Sequence, residues 1–256
     1  MSINARNKLV VGNWKMHGSR ASIRELLGGI VEGLGAVSDE VGVAVCPPFV
    51  YLPLVVELCA DSSVRPGAQN LSPEEQGAFT GEVAGNMLAD LGAEFVIVGH
   101  SERRELFGES DALVAEKFLA VQQNNMIPIL CVGESLQQRK EGITDRVVLS
   151  QLDAVIDRAG IESFGNAVLA YEPIWAIGTG ETASPEQAQE VHALIRAHLG
   201  NKDKEVAAAL QLLYGGSVKS SNAEELFAQP DIDGGLVGGA SLESEQFVAI
   251  CASADR

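Results

Sequence analysis

Two hydrophobic patterns alternate along the chain. Short apolar runs recur between longer segments in which apolar residues are spaced by three or four positions. Short continuous apolar runs are typical of strands that are buried on both faces, as in a parallel sheet. They predict strands at 9–12, 43–46, 64–68, 95–98, 127–132, 168–171, 209–214 and 235–237.

The segments between these runs predict amphipathic helices. Ser184, Pro185 and Gln187 fit an N-cap, a first helical residue and the partner of a capping box. The inner face of that helix would carry Ala188, Val191, Ile195 and Leu199. An earlier apolar stripe consists of Val148, Leu152, Val155, Ile156 and Ala159.

The number and spacing of the elements predict a closed (β/α)8 barrel. Eight strand–helix units in 256 residues give 256/8 = 32 residues per unit, and the total is typical of this fold. An open doubly wound sheet is the alternative, but no GxGxxG turn follows the first strand. Because no linker or low-complexity tract divides the chain, we expect a single α/β domain over residues 1–256.

Charge and segment composition exclude several classes of partner. The chain has 35 acidic and 18 basic residues, a formal net charge of −17. Nucleic acids and anionic membranes are bound by basic surfaces, so we expect neither partner. No apolar run approaches the roughly 18 residues of a membrane-spanning helix, and the first residues lack a signal-peptide core.

The cysteines suggest a reducing compartment. Cys46, Cys59, Cys131 and Cys251 form no CxxC pair, and three of them lie in apolar runs. Buried, reduced thiols are the simplest interpretation. We therefore expect a soluble, cytoplasmic protein.

Polar residues follow the first and fourth predicted strands. In a barrel of this kind the chemistry lies at the carboxyl ends of the strands. Asn13 and Lys15 follow strand one, where a lysine in so acidic a chain is a candidate anion clamp. His100 follows strand four near the start of a helix, whose positive end favours a neutral imidazole. No spacing of His, Cys or carboxylate residues resembles a metal site, so we expect no metal.

Two glycine pairs follow the last two predicted strands. Gly215 and Gly216 precede Ser217, and Gly238 and Gly239 follow strand eight. Glycines let backbone N–H groups approach an anion, and barrels of this type often bind phosphate after strands seven and eight. The two turns together predict a phosphate site.

The segment after the sixth predicted strand combines a carboxylate with an apolar loop. Glu172 stands directly before Pro173, which ends the strand, and an apolar and then glycine-rich stretch follows up to Gly180. This composition is typical of a lid that closes over a ligand and excludes water from Glu172. The alternative is a partly buried loop with a structural glutamate.

Five motifs in this order closely resemble the triosephosphate isomerase family across essentially the whole chain. They are GNWKM at 12–16, GHSERR at 99–104, the segment 170–180, YGGSV at 214–218 and GLVGGASL at 235–242. The resemblance implies a single-domain TIM barrel that uses no cofactor. It implies an isomerase of glycolysis and gluconeogenesis that interconverts dihydroxyacetone phosphate and D-glyceraldehyde 3-phosphate.

The resemblance also implies residue roles. Glu172 matches the catalytic base, His100 the electrophile that hydrogen-bonds the substrate carbonyl, and Lys15 the cation that stabilises the enediolate. Asn13 matches a polar contact, and Glu102 is placed beside Lys15 as an organising group.

The same resemblance assigns the phosphate site, the lid and the dimer contact. Ile177 and Leu236 match the apolar pair that crowds the base when the lid closes. The third loop, residues 70–84 with Phe79 to Glu82 at its core, implies a homodimer. Backbone N–H groups for the phosphate would come from Gly178, Ser217, Gly238 and Gly239. The lid would comprise Pro173, Ile174, Trp175, Ala176, Ile177, Gly178, Thr179 and Gly180.

Two residues depart from the family pattern. Glu181 replaces a frequent lysine in the lid hinge, and we expect it to weaken substrate attraction slightly. His17 replaces a frequent asparagine beside the partner's third loop, and we expect acid to weaken the dimer through it.

Two other functions remain open from the sequence. A Schiff-base aldolase on the same fold needs an inward lysine on a central strand, and Lys15 is the only strand-end lysine evident. A sugar-phosphate-binding barrel without catalysis would require damage to the catalytic set, yet Lys15, His100 and Glu172 are all present.

Overall fold

The computed structural model describes residues 6–177 and 182–255. Within them, eight parallel strands form a closed barrel in chain order, and β1 pairs with β8 to complete it. The strands are β1 (Leu9–Asn13), β2 (Gly42–Cys46), β3 (Val64–Ala68), β4 (Phe95–Val98), β5 (Ile127–Val132), β6 (Val168–Tyr171), β7 (Gln211–Tyr214) and β8 (Gly234–Val237). The predicted (β/α)8 barrel is confirmed, and the open sheet is excluded.

Helices connect the strands and surround the barrel. They are α1 (Arg20–Leu34), α2 (Leu52–Cys59), α3 (Gly85–Asp90), α4 (Ser101–Phe107), α5 (Asp111–Gln123), α6 (Leu136–Lys140), α7 (Thr144–Ala159), α8 (Pro185–Lys202), α9 (Lys204–Ala209), α10 (Ala223–Phe227) and α11 (Ser244–Ser253). Short 3₁₀ turns span Phe49–Tyr51, Ile161–Asn166, Ile174–Ala176 and Gly239–Leu242. None of the helices in the described ranges is both long enough and apolar enough to cross a membrane.

The apolar strand runs are buried on both faces, as their composition predicts. Residues that point into the barrel, such as Leu9 and Val11, form one apolar cluster with their counterparts on the other strands. The intervening Val10 belongs to a second cluster between the strands and the helices. The barrel interior is therefore a packed core, and a ligand site has to lie at one of its ends.

The helical patterns are confirmed in α7 and α8. In α7, the four residues Val148, Leu152, Val155 and Ile156 are buried, while Ala159 is half-buried against the core. At the start of α8, the Ser184 hydroxyl accepts from the Gln187 N–H at 3.2 Å, and the Gln187 side chain accepts from the Ser184 N–H at 3.0 Å. The same helix buries Ala188, Val191, Ile195 and Leu199.

The predicted start of strand seven, at residue 209, is wrong. Ala209 is the last residue of α9, and the chain becomes extended only at Leu210. The Leu210 N–H still donates to the Val206 carbonyl at 2.9 Å, so the helix keeps its last turn up to the strand. Ala and Leu are good helix formers, and local hydrogen bonding overrides the apolar run here.

Candidate active site

A cavity of about 580 Å³ opens at the carboxyl ends of the strands. It brings together predicted site residues from five separate segments of the chain, because parallel strands deliver their following residues to one rim. The predicted residues that line it are Asn13, Lys15, His100, Ile177, Ser217, Leu236, Gly238 and Gly239. His17 also lines the cavity. The predicted lid residues Gly178, Thr179 and Gly180, and the hinge residue Glu181, lie outside the described residues.

Glu172 is buried beside this cavity, with its carboxylate directed at the start of α4. Its side chain is only 2% exposed. One oxygen accepts from the Ser101 N–H at 2.9 Å, and the other accepts from the Ser101 hydroxyl at 3.2 Å and lies 3.0 Å from His100 Nε2. Burial pushes the pKa of Glu172 upward, but the neighbouring His100 and the two Ser101 hydrogen bonds outweigh it and hold the pKa below its ordinary value. The carboxylate is therefore ionised at neutral pH.

His100 caps α4 and joins Glu172 to the cavity. Its Nδ1 accepts from the Glu102 N–H at 3.2 Å, which assigns the ring proton to Nε2, the atom that faces Glu172. Burial lowers the pKa of His100, but the Glu172 carboxylate raises it, and the net pKa lies above its ordinary value. The helix end, which was the basis for expecting a neutral ring, is thus opposed by the Glu172 carboxylate, which favours the cation. In the structure, protonating Nδ1 would also cost the hydrogen bond from Glu102, so the cap itself opposes the cation.

Lys15 is held in a strained backbone conformation at the cavity wall. Its φ of 49° lies in the left-handed region, which costs a lysine of order 1 kcal/mol or more. The Asn13 side chain accepts from the Lys15 N–H at 3.1 Å, and Gln69 Nε2 donates to the Lys15 carbonyl at 2.8 Å. The ammonium forms a salt bridge with Glu102. A Cβ atom on Gly238 would lie 3.4 Å from Lys15 Cε, so the lysine packs against the turn after β8.

The turn after β7 is linked to the predicted lid. The Ser217 N–H, a predicted phosphate donor, donates to the Ala176 carbonyl at 3.2 Å. The Gly238 carbonyl accepts from the backbone and hydroxyl of Ser241 at 2.8 and 2.7 Å, which fixes the turn after β8. These contacts give both glycine turns a defined shape at the same end of the cavity.

Sequence reasoning missed the contacts by which three residues position Glu172. Ser101 is one, although it stands inside the GHSERR motif. A Cβ atom on Gly133 would lie 1.8 Å from the Glu172 carbonyl oxygen, and one on Gly215 would lie 2.9 Å from Glu172 Cγ. Gly215 was predicted as part of the phosphate cradle, and in the structure its missing side chain also leaves room for the glutamate. A glycine that directly follows a buried strand, as at 133, is the signal that could have drawn attention to this packing.

A second buried carboxylate, Glu134, anchors the start of the predicted lid. Its Oε1 accepts from Trp175 Nε1 at 2.9 Å and from the Tyr171 hydroxyl at 3.1 Å, and Arg139 approaches it at 3.3 Å. The Glu134 carbonyl also accepts from the Ile174 N–H at 3.1 Å. The first residues of the predicted lid are thus hydrogen-bonded to Glu134, a contact that the sequence pattern did not predict.

The described residues contain no cluster of three or more His, Cys, Asp or Glu side chains that could hold a metal ion. The described site offers an ionised carboxylate, an imidazole N–H and a lysine beside two glycine turns. Such a set can move a proton next to a carbonyl group and stabilise the negative charge that develops.

Comparisons with known proteins agree with this geometry. The family model described as triosephosphate isomerase matches residues 8–254. The triosephosphate isomerase of Nitrosococcus oceani is 60% identical over 250 residues, 97% of this chain and 99% of the relative. Those of Thiobacillus denitrificans and Pseudomonas entomophila are 59% and 55% identical, again over 97% of this chain and 99% of each relative. The chain belongs to the triosephosphate isomerase family.

Proposed function

We propose that the chain interconverts dihydroxyacetone phosphate and D-glyceraldehyde 3-phosphate through an enediolate, with Glu172 as the base. The observation that carries the proposal is the contact between the Glu172 carboxylate and His100 Nε2 at 3.0 Å, at the edge of a cavity that also holds Lys15. This contact supports a role for Glu172 as the base and for His100 Nε2–H as a hydrogen-bond donor, with Lys15 as a cation that lines the same cavity.

The reaction is a proton transfer between adjacent carbons. Glu172 takes a proton from C1 of the ketose, and the C–H electron pair forms the C1–C2 double bond while charge moves to the carbonyl oxygen. The same carboxylic acid returns a proton to C2, and the hydroxyl proton moves between the two oxygens through His100. Because the Glu172 oxygens are held by Ser101 and His100, the carboxylate has to turn toward the cavity for the first step.

His100 and Lys15 would stabilise the enediolate. A neutral imidazole donor at this position is itself a standard example from this family, so its role is inherited from the family here. Removing one aimed donor of this kind costs about 10²- to 10³-fold in kcat. Asn13 acts by holding the Lys15 N–H, and Glu102 by fixing the ammonium.

The phosphate would be bound by the N–H groups of Ser217, Gly238 and Gly239, with Gly178 added from the lid. Because the Ser217 N–H donates to the Ala176 carbonyl in this structure, phosphate binding would exchange that bond and release the Ala176 carbonyl from the turn after β7. Ile177 and Leu236 line the cavity and are the apolar groups that would exclude water from Glu172.

A coupled isomerase assay tests the assignment. Glu172→Asp withdraws the carboxylate by about one bond length, and a misplacement of that size costs on the order of 100-fold in kcat. Inorganic phosphate should inhibit the variant as well as it inhibits the wild type. Glu57→Asp, the same change on an exposed helix position, is the matched control. Wild-type activity at background would refute the proposal, and borohydride trapping of a ketose phosphate on Lys15 would favour the aldolase instead.

We also infer a homodimer built on the 70–84 loop. Large apolar side chains are exposed in this loop and in other segments: Phe79 of the loop is 46% exposed, Met87 of α3 is 52% exposed and Met16 is 93% exposed. The loop has a defined base, because the Ser72 N–H donates to the Val83 carbonyl at 2.8 Å. Sedimentation should show that Phe79→Asp dissociates the dimer, whereas Leu136→Asp, at a similarly exposed position, should not. A monomeric wild type would contradict the inference.

A cytoplasmic location is supported by the thiols. All four cysteines are free and buried. Burial raises the pKa of Cys59 to about 11 and of Cys251 to about 12, so both stay protonated and unreactive. The whole chain would act as one domain, because the barrel closes only when β1 and β8 pair.

A further inference from the structure

The phosphate end of the cavity contains a lysine that the reaction scheme does not use. Lys219 lines the same cavity as Lys15 and is exposed to solvent. Lys15 is paired with Glu102. Across the described ranges, by contrast, no carboxylate forms a salt bridge with Lys219, so no described neighbour neutralises its charge.

The backbone of Lys219 is fixed relative to Ser217. The Asn222 Oδ1 atom accepts from the Lys219 N–H at 2.8 Å, and Asn222 Nδ2 donates to the Ser217 carbonyl at 3.1 Å. The side-chain amide of Asn222 is therefore hydrogen-bonded to both ends of the turn 217–219. Since two residues span at most about 7 Å, the lysine backbone stays within that distance of the proposed phosphate donor.

The rim also carries a charge of opposite sign. Glu243 is the carboxylate among the described residues that line the cavity, and it accepts from Gln246 Nε2 at 2.7 Å. The chain as a whole has a net charge of −17, so a dianionic substrate approaches a repulsive field. Local charges at a cleft can alter that field and change the association rate.

We propose that Lys219 is a capture cation, which draws the substrate phosphate to the cavity and is opposed by Glu243. The proposal rests on the proposed isomerase activity. It concerns the encounter step, not the proton transfers. Triosephosphate isomerase is itself a standard example of an enzyme whose kcat/KM reaches the diffusional ceiling, so a change in encounter rate should appear directly in kcat/KM.

Three single variants test it in the full-length enzyme. Lys219→Gln should lower kcat/KM about threefold at 10 mM ionic strength and by less than about 1.5-fold at 300 mM, because salt screens exposed charges. Glu243→Gln should change kcat/KM in the opposite direction, with kcat unchanged in both. The control is Lys204→Gln, which makes the same charge change at the start of α9, the helix that leads into the amino end of β7.

Two results would overturn the capture role. One is a Lys219→Gln variant that matches Lys204→Gln at every ionic strength. The other is a loss that persists at high salt together with a lower kcat, since that would indicate a distorted turn. In either case an active wild type leaves the isomerase proposal standing, whereas an inactive wild type would refute both.

Discussion

Replacing Ser101 with alanine tests how the structure keeps Glu172 ionised. The substitution removes the hydroxyl donor at 3.2 Å and leaves the Ser101 N–H at 2.9 Å in place. Both residues are buried, so water cannot replace the lost donor. Hydrogen bonds to charged groups contribute about 1.5–3 kcal/mol, and the long distance favours the lower end, about 1.5 kcal/mol. That corresponds to a rise of about one unit in the pKa of Glu172.

The direction in which the pH profile should move follows from the lowered pKa of Glu172. The pKa of Glu172 is held below its ordinary value, so in the wild type the proposed base stays ionised until the pH falls well into the acid range. In Ser101→Ala the carboxylate takes up its proton at higher pH. The acid limb of kcat/KM, which reports the free enzyme, should therefore move up by about one pH unit.

The assay is the ratio of variant to wild-type kcat/KM from about pH 8 down to the lowest pH at which both proteins stay folded. The substrate phosphate, which has its own pKa near 6, titrates identically in both measurements and cancels from the ratio. Ser110→Ala is the control, because its hydroxyl accepts from the Leu113 N–H at 3.2 Å and does not contact Glu172. A pH-independent ratio for Ser101→Ala, or a limb that moves to lower pH, would refute the reasoning.

Three further predictions concern stability. Gly133→Ala would place a Cβ atom 1.8 Å from the Glu172 carbonyl oxygen, so the melting temperature of this variant should fall sharply. Gly165→Ala is the control, because nothing lies within 4 Å of a Cβ atom there and alanine should be tolerated. Equal melting temperatures for the two variants would contradict the packing. Trp175→Phe removes a hydrogen-bond donor to the buried Glu134 carboxylate and should lower the free energy of unfolding by about 2 kcal/mol. Urea titrations measure this change. An unchanged urea midpoint would show that the Trp175–Glu134 hydrogen bond does not contribute to stability. Burial lowers the pKa of His192 to about 4. Below about pH 6.5 the unfolded chain therefore binds a proton at this residue that the folded chain does not bind. The free energy of unfolding consequently falls as the pH drops from about 6.5 to about 4. His192→Gln should reduce that loss by about 2 kcal/mol at pH 5, and an identical pH dependence of unfolding in the two proteins would refute this account.

The sequence predicts the barrel well because its strands are buried on both faces. Such strands contain few polar residues, so each apolar run and the polar residue after it can be recognised locally. The carboxyl ends of parallel strands share one rim, and this topology alone brings Lys15, His100 and Ser217 together. Local helix signals, such as the N-cap at Ser184, can be recognised in the sequence equally well.

Contacts between distant residues were not predictable in this way. Ser101 and Glu172 are 71 positions apart, and nothing in either local pattern specifies their hydrogen bonds. The raised pKa of His100 has the same origin, because it depends on Glu172 and not on the helix end alone. The packing of Gly133 and Gly215 around the glutamate likewise appears only once the strands are assembled.

The left-handed backbone of Lys15 places stability in opposition to the role proposed for that lysine. Glycine, asparagine or aspartate adopts this conformation with less strain than lysine does, but none of them carries a positive charge. The fold holds the lysine there through Asn13 and Gln69, whose hydrogen bonds compensate the strain. With the role proposed for Lys15, selection for thermostability alone would favour its replacement, so a directed-evolution screen that scores only folding should lose the isomerase activity.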